Sequence, residues 1–444
     1  MVANRAVAPS SKLHMEHWVT EEAYIEGLPQ VEVHTLYRAM DFLLEAAEQI
    51  QHDIFFSVAN LFNLEVDVLF LDTTTTYFEI EGEDPDLELE GEVVAEGLRK
   101  WGRESKDSRP NLAQVVIAFA VTRTGIPVRC WVWPGNTVDQ DVVEEVKRDL
   151  NSWELGRVVL VEDAGFNSAK NRRTLQGTGG HYIIGGKMRA GNKGEAVPAI
   201  RRGGRYGVLD GDLEGLKFKH VVIGKGEARR CFVVVHNPEE AARDRAKRAD
   251  IVADVENQLE ELKQLEGEPH RKKACELRAH PVYGRYIRQT RTGKLSLNKA
   301  KIKTEEHFDG RFLVSTSDDT LSPEDIVRGY KQLAVIERVF QDMKHLIDMR
   351  PVRHRLPERI QAHVLLCWLA MLLIRVAENE SHWTWFQMKK ALATLQVGMH
   401  RMRSGGEIWE TNPVQAQVKE LFASLGLKLP GRYLKLPVPK EQSA

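Results

Sequence analysis

The sequence has few cysteines and no long apolar run. Its four cysteines are widely separated and none belongs to a CxxC pair, which excludes a disulfide framework and a cysteine-based zinc site. This spacing agrees with a reducing, cytoplasmic environment. The most apolar stretch, VLLCWLAMLLI at 364–374, is shorter than the roughly 20 residues of a membrane helix. We therefore predict a buried core helix there and no membrane association, and the N-terminus has no signal-peptide pattern.

A strong excess of one charge is also missing, since the net charge is −2. The charges are nevertheless unevenly distributed: residues 79–96 hold nine acids and no base, whereas residues 269–303 hold eleven Lys or Arg and one acid. A basic face of this kind can release counterions from DNA. The alternative is a solvated charged surface, and composition alone does not separate the two.

Length and composition fit a soluble globular chain of two or three domains. We predict a helical N-terminal region at 1–65, which could be a truncated DNA-binding part, and a catalytic domain at 66–189 and 311–400. Residues 190–310 are predicted to be a β-rich insertion domain with a long helix at 239–265, because charged, periodic residues fill that stretch. Residues 401–444 are predicted to be a C-terminal tail. The glycine-rich segment at 177–187 does not satisfy the phosphate-binding pattern GxxxxGK[ST].

The predicted elements of the catalytic domain follow a definite order. A strand at 66–71 ends at Asp72, and a hairpin at 114–121 and 126–133 turns at Thr124 and Gly125. A helix at 138–150 precedes a strand at 157–161 that leads to Glu162 and Asp163. A helix capped near Ser168 and a strand at 182–184 follow. This order predicts an α/β fold of the ribonuclease-H-like type, in which helices flank a mixed sheet.

Three carboxylates are candidates for metal chemistry. Asp72 and Asp163 are predicted at the ends of strands, where a sheet delivers side chains to a shared site, and carboxylates suit Mg²⁺. A predicted helix at 323–349 supplies Tyr330, Glu337 and Lys344, which are spaced seven residues apart. Residues at this spacing differ in direction by only about 20° around the helix axis, so the three side chains lie on one face. The alternative reading treats the aspartates as turn or cap residues and the glutamate as a solvated side chain. Three neighbouring carboxylates are interpreted as structural: Asp67, Glu162 and Asp342.

Residues 330–344 resemble a signature of the insertion-sequence-four superfamily of DDE transposases. That signature is Tyr, two residues, Arg, three residues, Glu, six residues and Lys, and this chain departs from it at Leu333, where the family has arginine. Arg338 could partly substitute. LDTTTTYFE at 71–79, WPGNTVD at 133–139 and VEDAGFNS at 161–168 also resemble family blocks, so the resemblance covers about 65–400.

The resemblance implies that two Mg²⁺ (or Mn²⁺) ions assist DNA strand cleavage and strand transfer, held by Asp72, Asp163 and Glu337. It implies DNA contacts from Tyr330, Lys344 and Arg338, and backbone contacts from the basic stretch 269–303 and from Arg350, Arg353, Arg355 and Arg359. The expected partners are terminal inverted repeats and target DNA, bound by a homodimer. The expected location is the bacterial cytoplasm, at the nucleoid.

Two other functions stay open. A catalytically impaired or truncated relic that only binds DNA is favoured by Leu333 and by the 71 residues that precede Asp72, fewer than relatives commonly carry. The intact carboxylates argue against such a relic. A ribonuclease-H-like nuclease without strand transfer is the third possibility.

Overall fold

The computed structural model describes residues 1–28, 30–61, 68–79, 82–89, 92–102, 105–153, 158–177, 180–189, 195–224, 230–403 and 406–436. The helices are α1 Val2–Val7, α2 Lys12–His17, α3 Val33–Glu45, α4 Ala47–Leu61, α5 Val143–Ser152, α6 Ala169–Gln176, α7 Ala196–Arg201, α8 Pro238–Lys263, α9 Gly267–Ala279, α10 Lys299–Glu305, α11 Pro323–Lys331, α12 Leu333–His345, α13 Pro357–Ser381, α14 Trp385–Leu392 and α15 Ala416–Ser424. The strands are β1 Val68–Tyr77, β2 Leu87–Leu89, β3 Glu92–Ala95, β4 Gln114–Val121, β5 Pro127–Pro134, β6 Val159–Glu162, β7 His181–Gly185, β8 Gly207–Val208, β9 Lys217–Ile223, β10 Arg230–His236, β11 Ile287–Gln289, β12 Leu295–Leu297, β13 Arg311–Thr316, β14 Val397–Arg401, β15 Glu407–Thr411 and β16 Tyr433–Lys435.

The chain divides into two compact units. Unit 1 comprises Met1–Val142, Asp149–Gly156 and Ala334–Ala444, and unit 2 comprises Val143–Arg148 and Arg157–Leu333. The functional domain boundaries expected from the sequence stay predictions.

Unit 1 contains three antiparallel strands in the order β5-β4-β1. The continuous apolar run of β4 is buried along its whole length, as expected of a strand covered on both faces. The predicted hairpin turn between β4 and β5 is confirmed: Gly125 has φ 83°, and its N–H donates to Thr122 O at 3.0 Å. β1 does not end at Asp72 as predicted. It continues to Tyr77 because β-branched threonines keep pairing with β4.

Helix α13 carries the longest apolar stretch of unit 1. By length and composition it could cross a membrane, but 61% of its most apolar window is buried inside the protein. It packs against α1, α3 and β5, and Trp368 and Cys367 are fully buried. These contacts make α13 a core helix, as the sequence predicted.

Unit 2 contains a mixed sheet in the order β6-β7-β13-β10-β9-β8. β6 and β7 are parallel, and the remaining neighbours are antiparallel. Helix α7 covers part of the sheet through a core cluster that includes Ala199, Phe232 and Leu313, and α11 also packs on the sheet. A mixed sheet flanked by helices confirms the predicted α/β class, and the element order is that of a ribonuclease-H-like fold.

Residues 190–310 join this sheet in part. β8, β9 and β10 extend it beyond β13, whereas α8 to α10 and the β11–β12 hairpin lie between β10 and β13 in the chain. The long helix predicted at 239–265 is present as α8, which begins after Asn237. The Asn237 side chain caps it by accepting from Glu239 N at 3.0 Å.

Two sequence predictions need correction. The helix expected at 323–349 is two helices, because Gln332 interrupts it with ψ −9°, and α12 ends at His345, before the left-handed Asp348 at φ 46°. The C-terminal part is a folded segment rather than a tail as far as residue 436. β14, β15 and β16 form a sheet, and α15 buries Val418 and Leu421.

Candidate active site

Asp72 lies in the middle of β1, opposite Phe119 of β4. Its carboxylate is partly exposed, with 22% of the side chain accessible. Asp72 Oδ1 accepts from the Thr73 backbone N–H at 2.7 Å and lies 3.8 Å from Lys106 Nζ. One backbone donor and one ammonium group therefore face this carboxylate.

Lys106 links Asp72 to a second carboxylate of unit 1. Its Nζ donates to Thr73 O at 2.8 Å and to Thr73 Oγ1 at 2.6 Å, and lies 3.5 Å from Asp139 Oδ2. The Thr73 hydroxyl donates to Asp139 Oδ1 at 2.5 Å. Asp139 belongs to the WPGNTVD segment, so this segment contacts β1 beside Asp72.

Asp163 follows β6 in unit 2 and is exposed. Its backbone oxygen accepts from Phe166 N at 3.2 Å, and Ser168 caps α6 as predicted. The Tyr330 hydroxyl donates to Asp163 Oδ1 at 3.3 Å. A Cβ on Gly185 would overlap the Tyr330 hydroxyl and crowd the Ala164 backbone N, so this contact requires glycine at position 185.

Glu162, immediately before Asp163, is completely buried. Neither of its carboxyl oxygens has a hydrogen-bond partner in the described part of the chain. Burial disfavours the charged form and raises the pKa of Glu162 to about 8. Two adjacent acids thus differ in environment, and the exposed one, Asp163, is the one available to a ligand.

Glu337 lies on the exposed side of α12. The same helix buries Ile336, Phe340 and Met343, and the Phe340 ring stacks on Phe119 with centroids 5.2 Å apart. These apolar side chains form the buried face of α12. Leu333, the position at which the resembled signature has arginine, is also buried.

Lys344 does not point freely into solvent. Its Nζ lies 2.7 Å from Asp107 Oδ1, and Arg350 also binds that oxygen. Asp107 is almost fully buried, and only 10% of the Lys344 side chain is accessible. Burial lowers the pKa of Lys344, and its hydrogen bond to Asp107 partly opposes this shift. Arg338 is exposed, and its Nε donates to Ala334 O at 3.4 Å.

The structure thus brings together some of the predicted site residues. Asp163 meets Tyr330 in unit 2, whereas Asp72 and Glu337 belong to unit 1. Among the residues that the structure describes, no group of three or more His, Cys, Asp or Glu is arranged to hold a metal ion. The meeting of Asp72, Asp163 and Glu337 at one metal centre stays a prediction.

Sequence reasoning missed Lys106 and Asp107. They lie in the polar segment SKDSRP at 105–110, which has the composition of an ordinary turn. Their partners are 33 and 237 positions away, so no local pattern signals them. Asp139 was within reach of sequence reasoning, because its WPGNTVD segment already resembled a family block.

The α/β fold and the strand-borne carboxylates define a protein of the ribonuclease-H-like class. Residues 68–373 match the model of the family described as "Transposase DDE domain". This span is more than half of the chain, and the chain belongs to that family. The matched span includes Asp72, Asp163 and Glu337.

Other comparisons are weaker. No curated protein matches the chain significantly. Among solved structures, the chain is similar to a piggyBac transposase in a synaptic complex with hairpin DNA, at 10% identity and a TM-score of 0.35. The match covers 95% of this chain and 78% of that one.

Proposed function

We propose that this protein is a transposase of the insertion-sequence-four superfamily. It binds the ends of an insertion sequence and catalyses metal-dependent DNA strand cleavage and strand transfer. The observation that carries the proposal is the family match over 68–373, because that span contains all three predicted carboxylates and Tyr330 and Lys344 of the signature.

The residues present suit divalent cations. Asp72 is a partly exposed carboxylate that offers a hard oxygen donor, and Asp163 and Glu337 are exposed carboxylates. These three residues would hold two Mg²⁺ (or Mn²⁺) ions, which prefer such ligands. The ions would lower the barrier to attack on a phosphodiester and stabilise the leaving oxygen.

The protein's own side chains prepare the site for DNA. Tyr330 orients the Asp163 carboxylate through its hydroxyl. Asp107 binds both Lys344 and Arg350, and Arg350 is the more accessible of the two. We expect this pair to meet a backbone phosphate through Arg350 first. Water attacks a phosphodiester at the element end, and the cut strand leaves with a 3′-hydroxyl. This 3′-hydroxyl then attacks a phosphodiester of the target DNA, forms a new phosphodiester bond and releases the 3′-hydroxyl of the target strand.

DNA is the proposed partner, comprising terminal inverted repeats and target DNA. Unit 2 supports this with a basic hairpin: Arg288, Arg291 and Lys294 on or beside β11 and β12 are exposed. Exposed cations of this kind release counterions when they meet phosphates. We further propose that the protein acts as a homodimer on DNA in the bacterial cytoplasm.

A cleavage and joining assay tests the proposal. Purified protein is incubated with labelled DNA carrying the inverted repeats that flank its gene, with Mg²⁺ or with EDTA. We expect Mg²⁺-dependent nicking at the repeat ends and joining of the labelled end to a target plasmid. Asp163→Ala should abolish both steps, whereas Asp325→Ala, at an exposed carboxylate in the first turn of α11, should retain them.

The second candidate is a catalytically impaired relic that binds DNA. It is favoured by the buried Leu333, because no guanidinium is available at that position. Repeat binding without nicking in Mg²⁺ or Mn²⁺ would support this candidate and contradict the enzymatic proposal. Nicking without joining would instead identify a nuclease.

A further inference from the structure

Lys106 is held from several sides within unit 1. Its ammonium group donates to two oxygens of Thr73 at 2.8 and 2.6 Å. It also lies 3.5 Å from Asp139 and 3.8 Å from Asp72. One cation therefore faces two carboxylates, and one of these is the first proposed metal ligand.

The backbone of Lys106 is also hydrogen-bonded to β1. Its N–H donates to Thr75 Oγ1 at 3.1 Å. The next residue, Asp107, is buried and tied to Lys344 and Arg350. A shift of Lys106 away from Asp72 would therefore break its hydrogen bonds with Thr73 and Thr75.

Opposite charges alternate in this part of unit 1 among the residues that the structure describes. Asp72, Asp139 and Asp107 supply three negative charges, and Lys106, Lys344 and Arg350 supply three positive charges. A divalent ion at Asp72 adds two positive charges within a few ångströms of the Lys106 ammonium. Like charges at such a distance repel, and the repulsion weakens binding.

We propose that Lys106 is a built-in counter-ion of Asp72 and Asp139 that competes with the divalent ion. It keeps the two carboxylates from repelling each other in the metal-free protein, and it lowers the affinity of the first metal position. This inference rests on the proposed function only in taking Asp72 as a metal ligand.

The test is a titration of the full-length protein with Mn²⁺ alone, with free Mn²⁺ followed by electron paramagnetic resonance. Lys106→Met should lower the Mn²⁺ dissociation constant on the order of tenfold. Lys106→Arg keeps the charge and should bind Mn²⁺ about as the wild type does. Lys390→Met, at an exposed position on α14, is the matched control and should leave the constant unchanged.

A second measurement follows thermal unfolding. Without metal, Lys106→Met should unfold at a lower Tm than the wild type, because Asp72 and Asp139 lose their common cation. Saturating Mn²⁺ should raise the Tm of this variant more than that of the wild type. An equal rise in both proteins would contradict the inference, as would an unchanged or higher dissociation constant for Lys106→Met.

Asp72→Asn separates the two possible failures. If it binds Mn²⁺ as well as the wild type does, Asp72 is not a ligand and the proposed metal site is wrong. If it loses Mn²⁺ while Lys106→Met binds no more tightly than the wild type, only the role given to Lys106 is wrong.

Discussion

Glu162 should make the stability of the protein fall as pH rises. In the unfolded chain a glutamate ionises near pH 4.5, whereas burial raises the pKa of Glu162 to about 8 in the folded protein. Between these values the folded state binds one proton more than the unfolded state, so stability is greatest at low pH and is lost towards pH 8. Each pH unit of such a difference is worth about 1.4 kcal/mol.

The substitution Glu162→Gln isolates the contribution of Glu162 to the pH dependence of stability, because glutamine has a similar volume and does not titrate. Between pH 6 and pH 8 the wild type should lose about 2 kcal/mol of unfolding free energy through this group, since its folded form begins to ionise near pH 8. The Glu162→Gln variant should not show this loss of unfolding free energy. The stability of Glu162→Gln relative to the wild type should therefore rise by about 2 kcal/mol over this range.

The assay is urea unfolding at both pH values, followed by tryptophan fluorescence in buffer with EDTA. EDTA is needed because Glu162 adjoins Asp163, a proposed metal ligand. Glu268→Gln, at an exposed position of α9, is the control, because its carboxylate is in water in both states. If Glu162→Gln and the wild type differ equally at pH 6 and pH 8, Glu162 is ionised in the folded protein and the reasoning fails.

Two further substitutions test packing in unit 2. Gly185→Ala should lower the unfolding free energy by about 1–3 kcal/mol in urea and slow DNA nicking, because the added methyl group displaces Tyr330. Gly177→Ala is its control, because a Cβ there meets no atom of the described residues within 4 Å. Asp309→Ala should lower the free energy of unfolding by about 3–5 kcal/mol, because it leaves the buried Arg248 guanidinium without its partner. Arg248→Met combined with Asp309→Leu should cost less than Asp309→Ala alone, and a larger loss in the double variant would refute this account.

Much of the fold was predictable from local patterns. The apolar runs of β4 and β5 and the turn at Gly125 are short-range features, as are the caps at Ser168 and Ser322. Such signals depend on a few neighbouring residues and can be recognised without knowledge of the tertiary structure. They were sufficient to place Asp163 after a strand.

Burial and long-range pairing were not predictable. Glu162 and Asp163 are neighbours of similar chemistry, and only the end of β6 decides that the first is enclosed and the second exposed. The pairing of Lys344 with Asp107, 237 positions away, likewise has no local signal in the sequence. The C-terminal strands were missed because few apolar residues mark them, although α15 buries Val418 and Leu421.

The connection between β10 and β13 has a consequence for engineering. His236 and Arg311 are directly opposite each other in the two strands, and Asn237 N donates to Gly310 O at 2.7 Å. Residues 237–310 therefore leave and re-enter the sheet at one point. A short loop spliced between these ends, or a foreign module grafted there, would preserve the strand register, so the length of this segment can vary without altering the sheet beneath it.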